Sequence, residues 1–257
     1  MPEAAHTKAV AAISKLGPLR VWSLLVTVFG DLAPDQPING PTISAIMTRI
    51  GVKPEATRVA LHRLRSDGWI LSEKHGRTSQ HRLTTQGQQD SLAARPRIYG
   101  TRAQTGADVG LFLMEDGNTA LDPAAFAEIA PRVYIHAADT PLPQTAMALK
   151  PETLPPWLGP QIEPRLLRGG YASLHAVLAD IEEEIDTAAA LTALDIAVLR
   201  VMIVHAWRRL ALKHPDLPRA AHSPGWRGHD CRRLVTRLLG RFPRPPLEDI
   251  RATQSAL

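Results

Sequence analysis

The sequence predicts a mainly α chain with α+β parts, arranged as three domains behind a short leader. Three observations predict it. Residues 18–84 show helical apolar spacing three times and then switch to the two-residue period of strands. Residues 109–149 carry short apolar runs of strand length, and from Tyr171 onward helical spacing returns. The boundaries read from these shifts are 1–15 for a flexible leader, 16–95, 96–150 and 151–257.

The leader is small, polar and unpatterned, so it is expected to fray. Pro18 opens an apolar stretch from Leu19 to Phe29 that ends at Gly30-Asp31, proline suiting a helix start and glycine its end. Leu32–Pro41 holds three prolines and Asn39-Gly40 and reads as a loop. Thr42 is expected to cap a second helix, with Ile43, Ile46, Met47 and Ile50 on its apolar side and Gly51 at its end. A third helix starts at Pro54 and runs to Asp67, with Thr57, Ala60, Leu61 and Leu64 as its inward stripe.

The period then changes. Trp69–His75 and Thr78–Thr84 read as two short strands around Gly76-Arg77, a hairpin signal. Two helices joined by a tight glycine turn, followed by a hairpin, are the layout of a winged helix-turn-helix. Thr85–Ala94 continues as a polar helix toward Pro96.

In the middle, Val109–Met114 and Arg132–His136 read as strands, Pro123–Ala130 as a short helix and Ala146–Leu149 as a further strand. That alternation suggests a small ferredoxin-like α/β domain. Pro151–Pro164 separates it from a helical C-terminal domain built from Tyr171–Asp186, Leu194–Lys213 and Cys231–Leu239.

Charge points to a partner. The formal net charge is +5, and residues 49–82 alone hold eight basic against three acidic side chains. A patch of that kind suits a polyanion, because each neutralised phosphate releases counterions; a merely solvated face is the alternative. With Thr57, Ala60 and Leu64 turned inward, Arg58, Val59, His62, Arg63 and Arg65 are left for DNA. Arg58 is the first choice for reading a base, since a guanidinium can bond both acceptors of a guanine edge. His62 lies one turn along; Lys53 and Arg65 suit phosphates, and Lys74, His75 and Arg77 mark the hairpin tip.

Other function classes are less well served. The sequence has no HExxH, GxSxG, phosphate-binding glycine loop or paired-cysteine zinc motif. One cysteine, Cys231, excludes an internal disulfide framework, and His229 beside it reads as a chance neighbour. Glu115-Asp116 after a strand would suit a metal-dependent nuclease, but is also ordinary turn chemistry. Trp157, Trp207 and Trp226 are core residues or, alternatively, the lining of a pocket for an aromatic ligand. No apolar run reaches the roughly 20 residues of a membrane span, and MPEAAHTKAV lacks a secretory layout, so the cytoplasm is expected. The chain is expected not to be an enzyme, and no metal or resident cofactor is expected.

LLVTVFGD (Leu24–Asp31), RVALHRLRSDGW (Arg58–Trp69), GRTSQHRLT (Gly76–Thr84), RIYG (Arg97–Gly100) and IVHAWRRLALKHPDLPRAAHSPGW (Ile203–Trp226) resemble the PaaX family of phenylacetate-pathway repressors. The resemblance covers the first and last thirds in order; the middle is a short form, acidic and without tryptophan. It implies a dimeric repressor of a catabolic operon, bound to double-stranded operator DNA and relieved by an aryl-acyl-CoA effector such as phenylacetyl-CoA. It assigns no ligand-binding residue here. A DNA-binding regulator with no small-molecule effector is the alternative.

Overall fold

A computed structural model describes residues 2–76, 78–100, 108–115, 120–185 and 191–255. It is a mixed α/β molecule with ten α-helices and two small antiparallel sheets among the described residues. Residues expected to fray instead form helix α1 (Pro2–Ser14), whose Ala9, Val10 and Ile13 are buried. These three share one side of the helix, which lets a segment with weak overall patterning still anchor itself.

Helix α2 (Val21–Thr27) runs straight into a π-helical turn, Val28–Leu32. Strand β1 (Ile38–Asn39), inside the expected loop, leads to α3 (Gly40–Ile50). The cap of α3 is Asn39 rather than Thr42: its side chain accepts from the Thr42 amide at 2.8 Å, and Pro41 takes the first turn. Gly51 ends α3 at φ 95°, a conformation that glycine adopts without Cβ strain. Helix α4 (Pro54–Ser66) follows after Lys53.

Strands β2 (Ile70–His75) and β3 (Thr78–Leu83) form the expected hairpin, His75 opposite Thr78. β1 pairs with β3 on its other side, so the sheet order is β1-β3-β2. Helix α5 (Thr85–Tyr99) passes through Pro96 instead of ending before it. The lost backbone bond is offset by tertiary anchoring, because Ile98 is buried and its carbonyl accepts from Trp207 Nε1 at 3.0 Å.

The middle part departs from the expected α/β alternation. It is a four-stranded antiparallel sheet of β4 (Val109–Met114), β5 (Ala127–Ala130), β6 (Val133–Ala137) and β7 (Ala146–Leu149), ordered β5-β6-β4-β7. The helix expected at Pro123–Ala130 is absent: Ala127–Ala130 pairs with β6 across Pro131-Arg132, where Arg132 takes φ 65°. Pairing overrides the helical preference of this alanine-rich segment. A ferredoxin-like helical layer is therefore missing from residues 108–115 and 120–150. The short helix α6 (Leu158–Ile162) packs near β5 instead, where Ile135, Leu158, Ile162, Leu217 and Ala221 form a small separate core.

Helices α7 (Arg165–Glu184), α8 (Ala193–Ala211) and α9 (Gly228–Arg241) lie where helical spacing places them, and α10 (Leu247–Ser255) is additional. α8 is buried nearly all round, from Leu194 to Trp207. It packs against α1, α2, α3, α5, α7, α9 and α10. One continuous core thus joins residues assigned to separate domains, with Phe29, Ile46 and Leu64 in the same cluster as Val201, Trp207 and Leu238.

Candidate nucleic-acid interface

The geometry of α4 follows from its spacing. Thr57, Ala60 and Leu64 are buried, three and four residues apart, and hold the helix against the core. Arg58, Val59, His62, Arg63 and Arg65 are all exposed, Val59 to 65%. Leu61, placed in the inward stripe, is only half-buried, at the edge of a groove.

That groove, about 630 Å³, runs between the start of α3, the exposed flank of α4 and the hairpin. Arg58, His62 and Arg65 line it from α4, Ser44 from α3, and Ser72 and Ser79 from the hairpin. Arg58 is bonded to Glu55 at 2.7 Å, a pair in which both side chains are about three-quarters exposed and so weakly held. Arg65 has no carboxylate within ion-pair distance among the described residues.

Two candidates sit elsewhere. Arg63 lies 3.5 Å from Asp67 and stacks over Trp22 of α2, which turns it away from the groove. Lys53 precedes α4 as its N-cap and is exposed, outside the lining of the groove. On the hairpin, Lys74 and His75 are exposed at the tip, while Arg77 lies outside the described residues.

His81 is a groove residue that sequence reasoning missed. It is 8% exposed, its Nδ1 is 2.9 Å from Ser72 Oγ, and burial together with the Arg65 charge holds its pKa below the usual histidine range. The alternation His81 inward, Arg82 outward, Leu83 inward is the signal that would have found it.

The base of the hairpin is pinned to the helices. Thr84 Oγ1 donates to the Gly68 carbonyl at 2.7 Å and accepts from the Gly87 amide at 3.0 Å. Gly87 packs so closely on Trp69 that a Cβ would fall 2.4 Å from its carbonyl oxygen. Hairpin and α4 are therefore held in fixed relation.

The remaining sequence candidates separate. Glu115 is exposed, with its carbonyl bonded by Arg132, and Asp116 lies outside the described residues. Among the described residues no group of three or more histidine, cysteine or carboxylate side chains could hold a metal. Cys231 is buried, its thiol donating to the Tyr171 carbonyl, and burial pushes its pKa up to about 12. Trp207 and Trp226 flank Tyr171 in the core, whereas Trp157 is 60% exposed, so the three do not share one pocket. No helix among the described residues is long and apolar enough to cross a membrane.

Comparison with known proteins covers both ends of the chain. Residues 20–87, which contain α3, α4 and the hairpin, match the family model described as PaaX-like protein. Residues 165–246, which contain α7 to α9, match that of the PaaX-like protein C-terminal domain. The chain is also 24% identical over 259 aligned positions to the Transcriptional repressor PaaX of Escherichia coli (strain K12), covering 87% of this chain and 81% of that protein. With two family models matched in order and together spanning more than half of its length, the chain belongs to the PaaX family.

Proposed function

We propose that this protein is a transcriptional repressor that grips double-stranded DNA with a winged helix-turn-helix formed by α3, α4 and the β2–β3 hairpin. The observation that carries the reading is the outward, cationic flank of α4, which forms one wall of a groove with the hairpin as the other. In such a domain the second helix enters the major groove, and the rest of the domain contacts phosphates. Arg58 and His62 face bases; Arg65, Lys53 and the amides at the start of α3 face the backbone. Lys74, His75 and Arg77 follow the flanking phosphates or minor groove. Val59 is placed to meet a thymine methyl.

The finer reading is a cytoplasmic homodimer on a two-fold operator, with half-sites spaced by the dimer. It represses a catabolic operon of the phenylacetate type and is released by an aryl-acyl-CoA that binds the non-competent conformation better. Repression is supported by family membership and by the name of the Escherichia coli relative, a transcriptional repressor; the dimer, the operon type and the effector rest on the resemblance of the sequence motifs to that family.

Fluorescence anisotropy on the protein's own promoter tests the DNA reading. Arg58→Ala is expected to weaken specific binding by about 1–3 kcal/mol and to relax base preference at one position. Unchanged specific affinity removes Arg58 from base reading. No preference for the promoter over random duplex in the unaltered protein refutes the repressor reading. Titration with phenylacetyl-CoA, read as release from the operator and as a rise in melting temperature, tests the effector.

A further inference from the structure

A second cationic groove, distinct from the one along α4, lies between α7 and α9. It is a shallow groove of about 530 Å³, open to solvent and lined mainly by charged side chains. Arg219, Arg227, Arg233 and Arg237 line it, against only two carboxylates, Asp230 and Glu182. The four guanidiniums exceed the two carboxylates by two positive charges, and each is about half exposed or more.

Three of the guanidiniums converge on one carboxylate. Arg219 and Arg233 both reach Asp230 Oδ1, at 2.7 and 2.6 Å, and Arg227 reaches Oδ2 at 3.1 Å. One carboxylate cannot neutralise three cations, and the donors that each planar fork does not spend on Asp230 remain available. Like charges crowded in this way favour an added anion.

The cradle is also built before any ligand arrives. Arg233 and Arg237 project from one face of α9, four residues apart. Arg219 and Arg227 sit on the loop before it, which buried Glu163 fastens by accepting from the Ser223 amide and hydroxyl at 2.6 and 2.8 Å. Arg237 is fixed by two bonds to Glu182, at 2.7 and 2.9 Å. Preformed guanidinium forks match phosphate oxygens in geometry as well as charge.

We propose that this groove binds a phosphate-bearing small molecule, with Arg219, Arg227 and Arg233 clasping a phosphate or diphosphate group. The site goes beyond the DNA reading and does not depend on it. A concave groove with two acidic residues in its wall fits a compact anion better than the continuous backbone of a duplex.

Inorganic pyrophosphate is the probe, titrated into the full-length protein by calorimetry at fixed ionic strength. Saturable binding is expected, with matched chloride giving none. Arg219→Ala combined with Arg233→Ala is expected to weaken it at least about tenfold while melting temperature stays put, since both side chains are rim-exposed. Asp230→Asn is expected to act oppositely, strengthening binding several-fold because the internal competitor loses its charge. No saturable binding overturns the proposal, as does binding that survives the double substitution. Loss of random-duplex affinity in the double variant without any pyrophosphate site would also overturn it, assigning the groove to DNA.

Discussion

Arg200 and Asp31 form a two-point ion pair inside the molecule, with guanidinium Nε and Nη2 each 3.0 Å from a carboxylate oxygen. The side chains are 7% and 0% exposed. Arg200 Nη1 also donates to the Leu239 and Phe242 carbonyls, and the Tyr99 hydroxyl donates to Asp31 at 3.1 Å. Asp31 lies in the π-helical turn after α2, Tyr99 ends α5 and Arg200 is in mid-α8, so one network ties the N-terminal elements to the C-terminal helices.

Removing one partner leaves a buried charge without compensation. Asp31→Ala or Arg200→Met is expected to cost about 3–5 kcal/mol in urea unfolding. The double variant Asp31→Leu with Arg200→Met should regain part of that loss, since no isolated charge remains. Additive losses in the double variant would show that the pair is not coupled.

On α4, stability and recognition should separate by face. Leu64 is 2% exposed, so Leu64→Ala is expected to cost about 2–5 kcal/mol in unfolding free energy. Val59→Ala should change stability by less than about 0.5 kcal/mol, because Val59 is 65% exposed. It should instead lower preference for one thymine in the operator, read by competition with single-base operator variants. A stability loss at Val59 equal to that at Leu64 would reverse the assigned faces.

How much of this was legible in the sequence depends on the range of the signal. α4 was legible because Gly51, Pro54 and the Thr57–Ala60–Leu64 spacing are all local. The hairpin was legible through Gly76 between two alternating runs. β5 was misread because Ala127–Ala130 is built of helix formers, and its strand state comes from pairing with β6. Helix α1 was missed because a single apolar side on a polar segment says little unless its cover is known. The shared core could not be read at all: each amphipathic face declares that it needs a partner, not which one. Only α8, apolar nearly all round from Leu194 to Trp207, hinted at a helix enclosed by others. The Asp31–Arg200 pair, 169 residues apart, leaves no sequence pattern.

Backbone contacts are expected to appear as salt dependence. If Lys53 and Lys74 each neutralise one phosphate, Lys53→Ala and Lys74→Ala should weaken specific and random duplex alike. Each should also lower the slope of log affinity against log salt by about 1. Both side chains are exposed, so melting temperature should not move. An unchanged slope would remove the lysine in question from the interface.

The C-terminal helices carry a group of histidines that should make folding acid-sensitive. Burial holds His222 at a pKa of about 3 and His229 and His205 at about 4, and lowers His214, all below the ordinary histidine value. His222 stacks flat on Trp226 at 4.9 Å, and His229 Nε2 lies 3.1 Å from His222 Nδ1, so the rings form part of the packing. Below about pH 6.5 the unfolded chain takes up protons that the folded chain refuses, which means stability rises with pH across the window from about 4 to 6.5. Between pH 7 and 5 His205, His222 and His229 each contribute a loss of about 2 kcal/mol, less where two rings share one hydrogen bond, and His214 adds to it in the same direction. Urea unfolding at pH 7, 6 and 5 should therefore show steadily falling midpoints. His222→Phe, which keeps a ring against Trp226 and removes the titrating nitrogen, should make that fall shallower. A midpoint that is flat from pH 7 to 5 would mean that these rings accept protons within the folded protein as readily as outside it.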